Sequence, residues 1–371
     1  MRLHWFLPTT GDGHEVRTAI MSTDAHRPPG RPGSVRYLAQ VARAAEDAGF
    51  EAALTPVGAG CPDPWIVCAA VAQHTGRLKL LVAFRPGFTL PTLLAQQAQA
   101  FQEISGGRLL LNVVTGGDPV EQRSYGDFLD HDARYARTAE FLDVLRRTWT
   151  GRRYDFHGEH YKIEDGLTAP LDPIPDVYFG GASPAAEQVA AGHADVALMW
   201  GEPPAAIAAR AARLRALAAA EGRHVRFGIR LHVIARDTAS EAWAEAERLL
   251  AGMDPARIEA AQQRFARFDS TGQQRMAALH GGSVKGTDAR SLEVAPGLWA
   301  GVGLVREGAG TALVGSYDEV AERIREYADL GIEEFILSGW PHLEEAYRVG
   351  EYVVPRLAPG PAGLVSGQVT G

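Results

Sequence analysis

Short apolar runs recur along the chain, and most of them are followed by a segment whose apolar residues repeat with a helical period. Turn residues bound each run, which is typical of parallel strands that alternate with covering helices. The pattern predicts an α/β fold. We expect eight strands, at residues 3–7, 52–57, 78–84, 109–115, 177–181, 196–200, 227–234 and 335–340.

Start and stop signals for helices lie between these strands. Ser34 can cap a helix that runs to Gly49, and residues 203–204, both Pro, open a helix that ends before Gly222. Eight strands with intervening helices fit a TIM (β/α)8 barrel. Further helices are expected near residues 90–104, 133–149, 239–251 and 316–330.

A doubly wound sheet is the alternative, and it normally carries a glycine fingerprint after an early strand. The nearest candidates are the Gly-x-Gly sequences at residues 58–60 and 301–303. Neither is followed by the third glycine of the motif, since Arg306 stands in that position after the second. We interpret both as loops.

The seventh and eighth predicted strands are separated by about 100 residues, far more than one crossover helix needs. We therefore expect a single barrel domain over residues 1–357 with an insertion at about 254–296, which begins with one or two polar helices and then becomes irregular. In a barrel, this insertion rises from the face that binds substrates, so it is a candidate lid, with an oligomer contact as the alternative. Residues 358–371, rich in Gly and Pro, are expected to form a flexible tail.

Composition excludes several classes of protein. The 371 residues are 46% hydrophobic and 22% charged, which is typical of a soluble globular protein. The net charge of −8 disfavours nucleic acid as a partner. With two cysteines and no apolar stretch near the roughly 20 residues of a membrane span, neither a disulfide framework nor a membrane anchor is expected. The apolar run at residues 3–7 lacks a cleavage site, so we expect a cytoplasmic protein.

Hydrolytic chemistry is not indicated. Of the twelve His residues, His157 and His160 flank a predicted turn, and His342 with Glu345 lacks a third ligand nearby, so we expect no metal site. The chain also lacks the Gly-x-Ser-x-Gly motif of a serine hydrolase.

Cationic residues instead mark the end of the seventh predicted strand. Arg230 and His232 are two positions apart, so on a strand they share one face, which we expect to be the barrel interior. A buried arginine costs several kcal/mol unless it is paired, which predicts either a bound anion or a structural acid beside it. Arg306 lies in a glycine-rich loop before the last strand. Two arginines in one pocket would suit a sulfonate, phosphate or carboxylate.

Small residues end the fourth and fifth predicted strands, at residues 112–118 and 179–183. They allow close approach of the backbone, and the helix that follows the fifth strand offers free amides to a phosphate. A phosphate-bearing cofactor could dock there, although Gly-Gly-x-Ser is also an ordinary strand-to-helix turn.

Longer stretches resemble the reduced-flavin-dependent alkanesulfonate monooxygenases, which belong to the bacterial-luciferase-like superfamily of TIM barrels. The likeness runs from Trp5 to about Pro355. Its most specific stretches are residues 227–234, 269–280, 298–315 and 341–350.

The resemblance implies a two-component monooxygenase. A separate NAD(P)H-dependent reductase supplies reduced FMN, which reacts with molecular oxygen on this protein, and the C–S bond of an organosulfonate is cleaved to sulfite and an aldehyde. Members of the superfamily usually form dimers or tetramers, so a homodimer or homotetramer is expected. The alternatives are a monooxygenase for a sulfone or another anion, a deazaflavin-dependent dehydrogenase, and a flavin-binding protein without turnover.

The same resemblance implies roles for particular residues. The catalytic residues that it implies are Arg230, His232, Arg306, His342 and, at the edge of the pocket, Cys61. For FMN it implies Asn112 and Thr115 near the isoalloxazine ring, Trp200 in the pocket wall, and, at the phosphate, Tyr135, Gly181, Ala182 and Ser183.

Two residues depart from the family pattern at the substrate end. Thr10 stands where the family usually has His, and Trp340 stands where it usually has Tyr. Thr10 removes an imidazole, and Trp340 replaces a phenol hydroxyl by an indole that can only donate a hydrogen bond. We therefore expect these two residues to influence substrate specificity, so that the preferred substrate need not be a short alkanesulfonate.

Overall fold

Eight parallel strands close into a barrel in the computed structural model, which describes residues 1–16, 30–281 and 288–358. Each strand pairs in parallel with the next one along the chain, and the eighth pairs with the first. The barrel strands are β1 (Arg2–Phe6), β2 (Ala52–Thr55), β3 (Lys79–Phe84), β4 (Leu109–Val114), β5 (Val177–Gly180), β6 (Val196–Trp200), β7 (Arg226–Arg230) and β8 (Glu334–Leu337).

Helices cover the outside of the barrel and form part of the loops at its C-terminal end. They are α1 (Val35–Asp47), α2 (Pro64–Ala72), α3 (Pro91–Ser105), α4 (Pro119–Ser124), α5 (His131–Thr148), α6 (Pro184–His193), α7 (Pro204–Ala220), α8 (Ala239–Ala251), α9 (Pro255–Phe265), α10 (Thr271–His280), α11 (Tyr317–Asp329), α12 (His342–Arg348) and α13 (Val354–Leu357). Shorter turns are the 3₁₀ helices Ala289–Leu292 and Gly301–Leu304 and the π-helical turn Val349–Val353.

Two smaller sheets stand outside the barrel. Tyr154–His157 and Lys162–Gly166 form an antiparallel hairpin. The other sheet contains the strands His232–Arg236, Ala312–Ser316, Leu298–Trp299 and Glu293–Ala295, in that spatial order.

The predicted TIM barrel and its eight strands are confirmed, with one correction. The predicted strand at 227–234 is wrong as a single element, because β7 ends at Arg230 and a separate strand begins at His232. The physical reason is that backbone N–H groups on either side of the break donate to different sheets. The N–H of Leu231 donates to Ile336 on the barrel side, whereas the N–H of His232 donates to Thr311 in the outer sheet.

The predicted helices are confirmed as α1, α3, α5, α7, α8 and α11. Their boundaries follow from local chemistry. The hydroxyl of Ser34 accepts a hydrogen bond from the N–H of Tyr37 and so caps α1, and Pro204 occupies the first turn of α7, where its missing N–H has no cost.

The predicted polar helices of the insertion are α9 and α10. The segment at 281–296 is not wholly irregular, since it contains a 3₁₀ helix and a short strand. Residues 282–287 of the insertion and residues 359–371 of the predicted tail lie outside the described residues. No described helix is long and apolar enough to cross a bilayer.

The N-terminal end of the barrel is closed by a buried ionic network. Glu334 accepts hydrogen bonds from His4 Nε2 at 2.9 Å, from the hydroxyl of Tyr178 and from the guanidinium of Arg226, which also pairs with Asp176. Apolar side chains fill the interior above this network. A binding site inside this barrel therefore has to open at its C-terminal end.

Candidate active site

A cavity lies at the C-terminal ends of the barrel strands. It leaves about 210 Å³ for the centres of water-sized molecules, many times the roughly 10–15 Å³ that one water needs by this measure. The barrel contributes Phe6, Leu54, Ala83 and Asn112, which end or lie near the end of their strands. The insertion covers the cavity with side chains and backbone from Phe268, Ser270, Gly272 and Gln273.

Arg230, the last residue of β7, lines the cavity and is 5% exposed. Its guanidinium donates to the carbonyl of Ile336 at 3.3 Å and to Ser338 Oγ at 2.7 Å, and it lies 4.9 Å from the centre of the Phe6 ring. Within the described part of the chain, no carboxylate forms an ion pair with it. Burial and the charge of Arg306 lower the pKa of Arg230.

Arg306 reaches the same ring from the loop that follows the 3₁₀ helix Gly301–Leu304. Its guanidinium carbon lies 5.3 Å from the centre of Phe6, and the residue is 8% exposed. The adjacent acid, Glu307, pairs with Arg264 of α9 at 2.7 Å. Burial lowers the pKa of Arg306, and the charge of Glu307 opposes this shift without cancelling it. Two buried cations therefore meet at Phe6.

His232 is held by polar contacts at both ring nitrogens. Nε2 lies 3.0 Å from the carbonyl oxygen of Ala309, which can only accept, so Nε2 carries the proton. Nδ1 lies 2.7 Å from Ser338 Oγ and accepts from it. Burial, together with the charges of Arg230 and Arg306, lowers the pKa of His232. The imidazole is therefore neutral at pH 7, and Trp340 stacks on it with ring centres 4.6 Å apart.

His342, the first residue of α12, is bound to Asp12 in the loop after β1. Asp12 accepts from Nδ1 of His342 at 2.9 Å, from its backbone N–H at 2.8 Å, and from the hydroxyl of Tyr37. Burial favours the neutral acid, but His342 and these hydrogen bonds hold the pKa of Asp12 at about 2. His342 does not itself line the cavity, and its ring lies 5.8 Å from Phe6.

The remaining residues of the predicted substrate end stand behind the cavity wall. Burial raises the pKa of the Cys61 thiol to about 11, although a hydrogen bond with Thr9 and the charge of Arg306 oppose the rise, so the thiol is neutral. Thr10 is partly exposed in the turn after β1, and Trp340 is 4% exposed behind His232. None of the three lines the cavity.

Other parts of the cavity wall carry one indole and two polar side chains. Asn112 and Thr115 line the cavity at the end of β4, and Trp200 lines it at the end of β6, where it is the register partner of Arg230. The Trp200 indole lies under the roof, where a Cβ on Gly272 would approach it to 3.0 Å. This arrangement offers one aromatic wall and two hydrogen-bonding side chains to a planar ring.

Residues suited to a phosphate gather where β5 leads into α6. The hydroxyl of Tyr135 bonds to Ser183, which caps α6 through the N–H of Ala186. Gly181 lies so close to this cap that a Cβ there would stand 2.5 Å from the Cβ of Ala186. Gly181, Ala182 and Tyr135 line the cavity, whereas Ser183 lies just behind it. The close backbone, the helix N-terminus and a nearby arginine fit a phosphate.

That arginine is Arg210 of α7, which the sequence analysis missed. It lines the cavity, is 4% exposed, donates to the carbonyl of Gly181 and pairs with Glu187 at 3.2 Å. Burial lowers its pKa. Its helical spacing alone resembles that of the other arginines on α7, so no local signal distinguishes it.

The insertion is fixed over the cavity by ionic and amide contacts. Gln273 Oε1 accepts from the N–H of Gly308 at 3.0 Å, and Gln262 Nε2 donates to the carbonyl of Leu304 at 2.8 Å. Ion pairs also join the described part of the insertion to the rest of the structure, among them Arg264–Glu307 at 2.7 Å, Arg275–Glu202 at 2.5 Å and Asp269–Arg134 at 2.6 Å.

Fold and site together define a TIM-barrel enzyme whose cavity suits a planar, phosphate-bearing cofactor and an anion. The model of the family described as luciferase-like monooxygenase matches residues 1–334. The chain therefore belongs to the luciferase-like monooxygenase family.

Solved structures show the same fold. A riboflavin lyase with modified FMN and riboflavin is 21% identical, with 96% of this chain and 91% of that chain covered and a TM-score of 0.76. The EDTA monooxygenase of Chelativorans sp. BNC1 is also 21% identical, with coverages of 96% and 93% and a TM-score of 0.75. An F420-dependent secondary alcohol dehydrogenase is 15% identical, with coverages of 96% and 99% and a TM-score of 0.67. At these identities, the likeness establishes the fold alone.

Replacing Asp12 by Asn tests the anchor of His342. We expect the free energy of unfolding at pH 7 to fall by about 1–3 kcal/mol, because buried donors lose a charged acceptor. The folded pKa of Asp12, about 2, lies below the ordinary 3.8. Its contribution is therefore fully present above about pH 5 and is lost as the pH falls through the folded pKa.

Urea denaturation at pH 7 and pH 3 checks this expectation. The free energies of unfolding of the variant and the wild type are expected to differ less at pH 3 than at pH 7. Asp318→Asn is the control, because Asp318 is exposed and its ion pair with Arg356 contributes little. Equal stability of Asp12→Asn and wild type at pH 7 would contradict the anchoring role.

Proposed function

We propose that this protein is a two-component flavin-dependent monooxygenase, which uses reduced FMN and molecular oxygen to cleave the C–S bond of an organosulfonate into sulfite and an aldehyde. One observation carries the proposal. Arg230 and Arg306 are both buried at the cavity beside Phe6, and neither forms an ion pair with an acid among the described residues.

The two guanidinium groups favour an anionic substrate. Two like charges held apart from water repel each other, and each loses hydration energy that only an opposite charge can replace. A sulfonate provides three oxygens and remains ionised at neutral pH, so it can accept from both guanidinium groups at once. The resemblance of the strand around Arg230 and of residues 341–350 to the alkanesulfonate enzymes favours a sulfonate over other anions. A sulfone or another anion is the second candidate, since the same donors can bind its oxygens.

Other residues that line the cavity support FMN as the cofactor. Asn112, Thr115 and Trp200 would hold the ring system. Tyr135, Gly181, Ala182 and Ser183 would hold the phosphate, with Arg210 beside them. When bound, reduced FMN supplies the electrons that activate molecular oxygen for transfer.

The chain's own residues bind, orient and shield the substrate. Arg230 and Arg306 fix the sulfonate oxygens, which leaves the carbon chain to extend along the apolar wall. These guanidinium groups also stabilise negative charge that develops during bond cleavage. The roof formed by Phe268 and Gln273 excludes water. His232 stays neutral because Ala309 and Ser338 satisfy its two nitrogens, and it can accept a proton at Nδ1.

The same proposal includes the source of the reduced FMN and the oligomeric state of the protein. The FMN reductase is a separate NAD(P)H-dependent protein, the chain acts in the cytoplasm as a homodimer or homotetramer, and it forms a single domain of residues 1–357. A flavin-binding protein without turnover is the competing class, and it has no need of two unpaired arginines beside the cofactor.

Sulfite release tests the reaction. We expect the purified protein, given oxygen and FMN that a reductase keeps reduced, to release sulfite from at least one member of a panel of alkanesulfonates of increasing chain length. Omission of FMN, oxygen or the sulfonate is expected to abolish the product. No sulfite from the whole panel, with FMN oxidation unaffected by any sulfonate, would exclude the proposed reaction. Substrate-dependent reduction of oxidised F420 would identify the dehydrogenase alternative.

Arg230→Ala tests the anion site. We expect sulfite turnover to fall by about 10²–10³-fold, because a preorganised donor to the developing negative charge is lost. Arg230→Lys, which keeps the charge but not the fork of donors, is expected to retain more activity. Arg325→Ala on the exposed face of α11 is the matched control and is expected to keep the wild-type rate. Wild-type turnover in a folded Arg230→Ala protein would assign Arg230 a structural role.

We also propose that the insertion at 254–296 acts as a lid, which Arg275→Ala tests. Loss of the ion pair with Glu202 is expected to speed proteolytic cleavage in the insertion and to raise hydrogen peroxide release relative to sulfite, because water reaches the site. Arg267→Ala is the matched control, since Arg267 is exposed in the same insertion. Cleavage that is equally fast in all three proteins, and that bound FMN and sulfonate do not slow, would contradict a lid.

A further inference from the structure

Ser338 follows the last residue of β8. In space, its side chain lies between Arg230 and His232. Ile336 of β8 is the register partner of Arg230, and Ser338 lies two residues further on, so its side chain shares the inward face. It is fully buried, at 0% exposed, and it does not line the cavity. Any effect of Ser338 on the reaction therefore has to pass through its neighbours.

The hydroxyl of Ser338 joins Arg230 to His232 by two hydrogen bonds of fixed direction. Arg230 Nη2 can only donate, so Ser338 Oγ accepts that bond at 2.7 Å. His232 donates through Nε2 to the carbonyl of Ala309 at 3.0 Å, which leaves Nδ1 as an acceptor. The hydroxyl proton of Ser338 therefore points to Nδ1, over a distance of 2.7 Å.

The charged side chains near Ser338 do not replace either of its two hydrogen bonds. Arg306 reaches the same ring, Phe6, and contributes a second positive charge. Glu307 is paired with Arg264, and Asp12 is bound to His342. Trp340 covers one face of the His232 ring and leaves both its nitrogens to the partners already named.

We propose that Ser338 is a positioning residue that couples Arg230 to His232, by holding the guanidinium at the cavity wall in a fixed place relative to the imidazole. The effect of Ser338 on sulfite release rests on the proposed function. The hydrogen-bond chain itself can be tested without any substrate or cofactor.

Arg230 keeps its charge in this arrangement, since a guanidinium is too basic to give a proton to a neutral imidazole. Ser338 accepts from Arg230 and donates to His232, so its hydroxyl fixes the guanidinium relative to the imidazole. A guanidinium held in this way is preorganised to donate to negative charge that develops on a bound substrate.

Nitrogen NMR of histidine-labelled protein, without flavin or substrate, tests the hydrogen bonds. The wild type is expected to show His232 protonated at Nε2, with Nδ1 as a hydrogen-bonded acceptor; His232→Gln assigns the signals by their loss. In Ser338→Ala, the Nδ1 resonance is expected to move downfield, towards that of a nitrogen without a donor, while Nε2 stays protonated. An unchanged Nδ1 resonance, or a proton on Nδ1 in the wild type, would overturn the proposal.

Steady-state kinetics separate positioning of Arg230 from a purely structural role of Ser338. Ser338→Ala is expected to lower kcat for sulfite release by about 10²-fold with little change in the KM of the sulfonate, and Ser338→Thr, which keeps a hydroxyl, is expected to restore most of the loss. An unchanged kcat, or a loss confined to KM, would overturn the positioning role. Ser105→Ala, which removes a buried hydroxyl that accepts from the Arg108 N–H, is the matched control and is expected to leave both kcat and the NMR signals unchanged. If the wild type releases no sulfite, the proposed function fails while the NMR result still decides the hydrogen-bond chain.

Discussion

Two guanidinium groups packed against the Phe6 ring, neither of them in an ion pair with a described acid, are the constraint on which the rest of the site depends. Burial removes water from both groups, the charge of Arg306 lowers the pKa of Arg230 further, and the charge of Glu307 offsets only part of the shift at Arg306. The carbonyls of Leu231 and Ile336 and the face of the Phe6 ring offset part of this cost. The rest of the desolvation cost can be offset by an anion that enters the cavity. The unbound protein therefore favours anion binding at this position.

The two ends of the barrel treat buried charge in opposite ways. At the N-terminal end, Glu334 accepts from His4, Tyr178 and Arg226, so donors from the protein itself surround this buried acid. At the C-terminal end, the cations exceed the acids that face them. This division matches the general behaviour of TIM barrels, in which one face stabilises the fold and the other carries the chemistry. It also explains why a binding site can be built without weakening the closed end.

The barrel could be predicted from the sequence because each strand is a local apolar run between turn residues. Arg230, His232 and Arg306 were noticeable because cations are unusual among such runs. Ser338, Asp12 and Phe6 were missed, since their importance arises from contacts with residues far away in the chain, and a lone Ser, Asp or Phe carries no periodic signal. The break of the seventh strand at Leu231 was hidden for a related reason: the apolar alternation continues through it, and only the change of partners separates the two strands.

The position of Trp340 shows how the replacement of the usual tyrosine can affect the reaction. The resemblance places this residue at the substrate end, where a tyrosine hydroxyl would be usual, but here the indole stacks on His232 and does not line the cavity. Its influence on the reaction therefore passes through the imidazole, whose orientation and burial it fixes. Phe268 and Gln273 differ from Trp340 in this respect, because both line the cavity and so reach the space that a ligand would occupy.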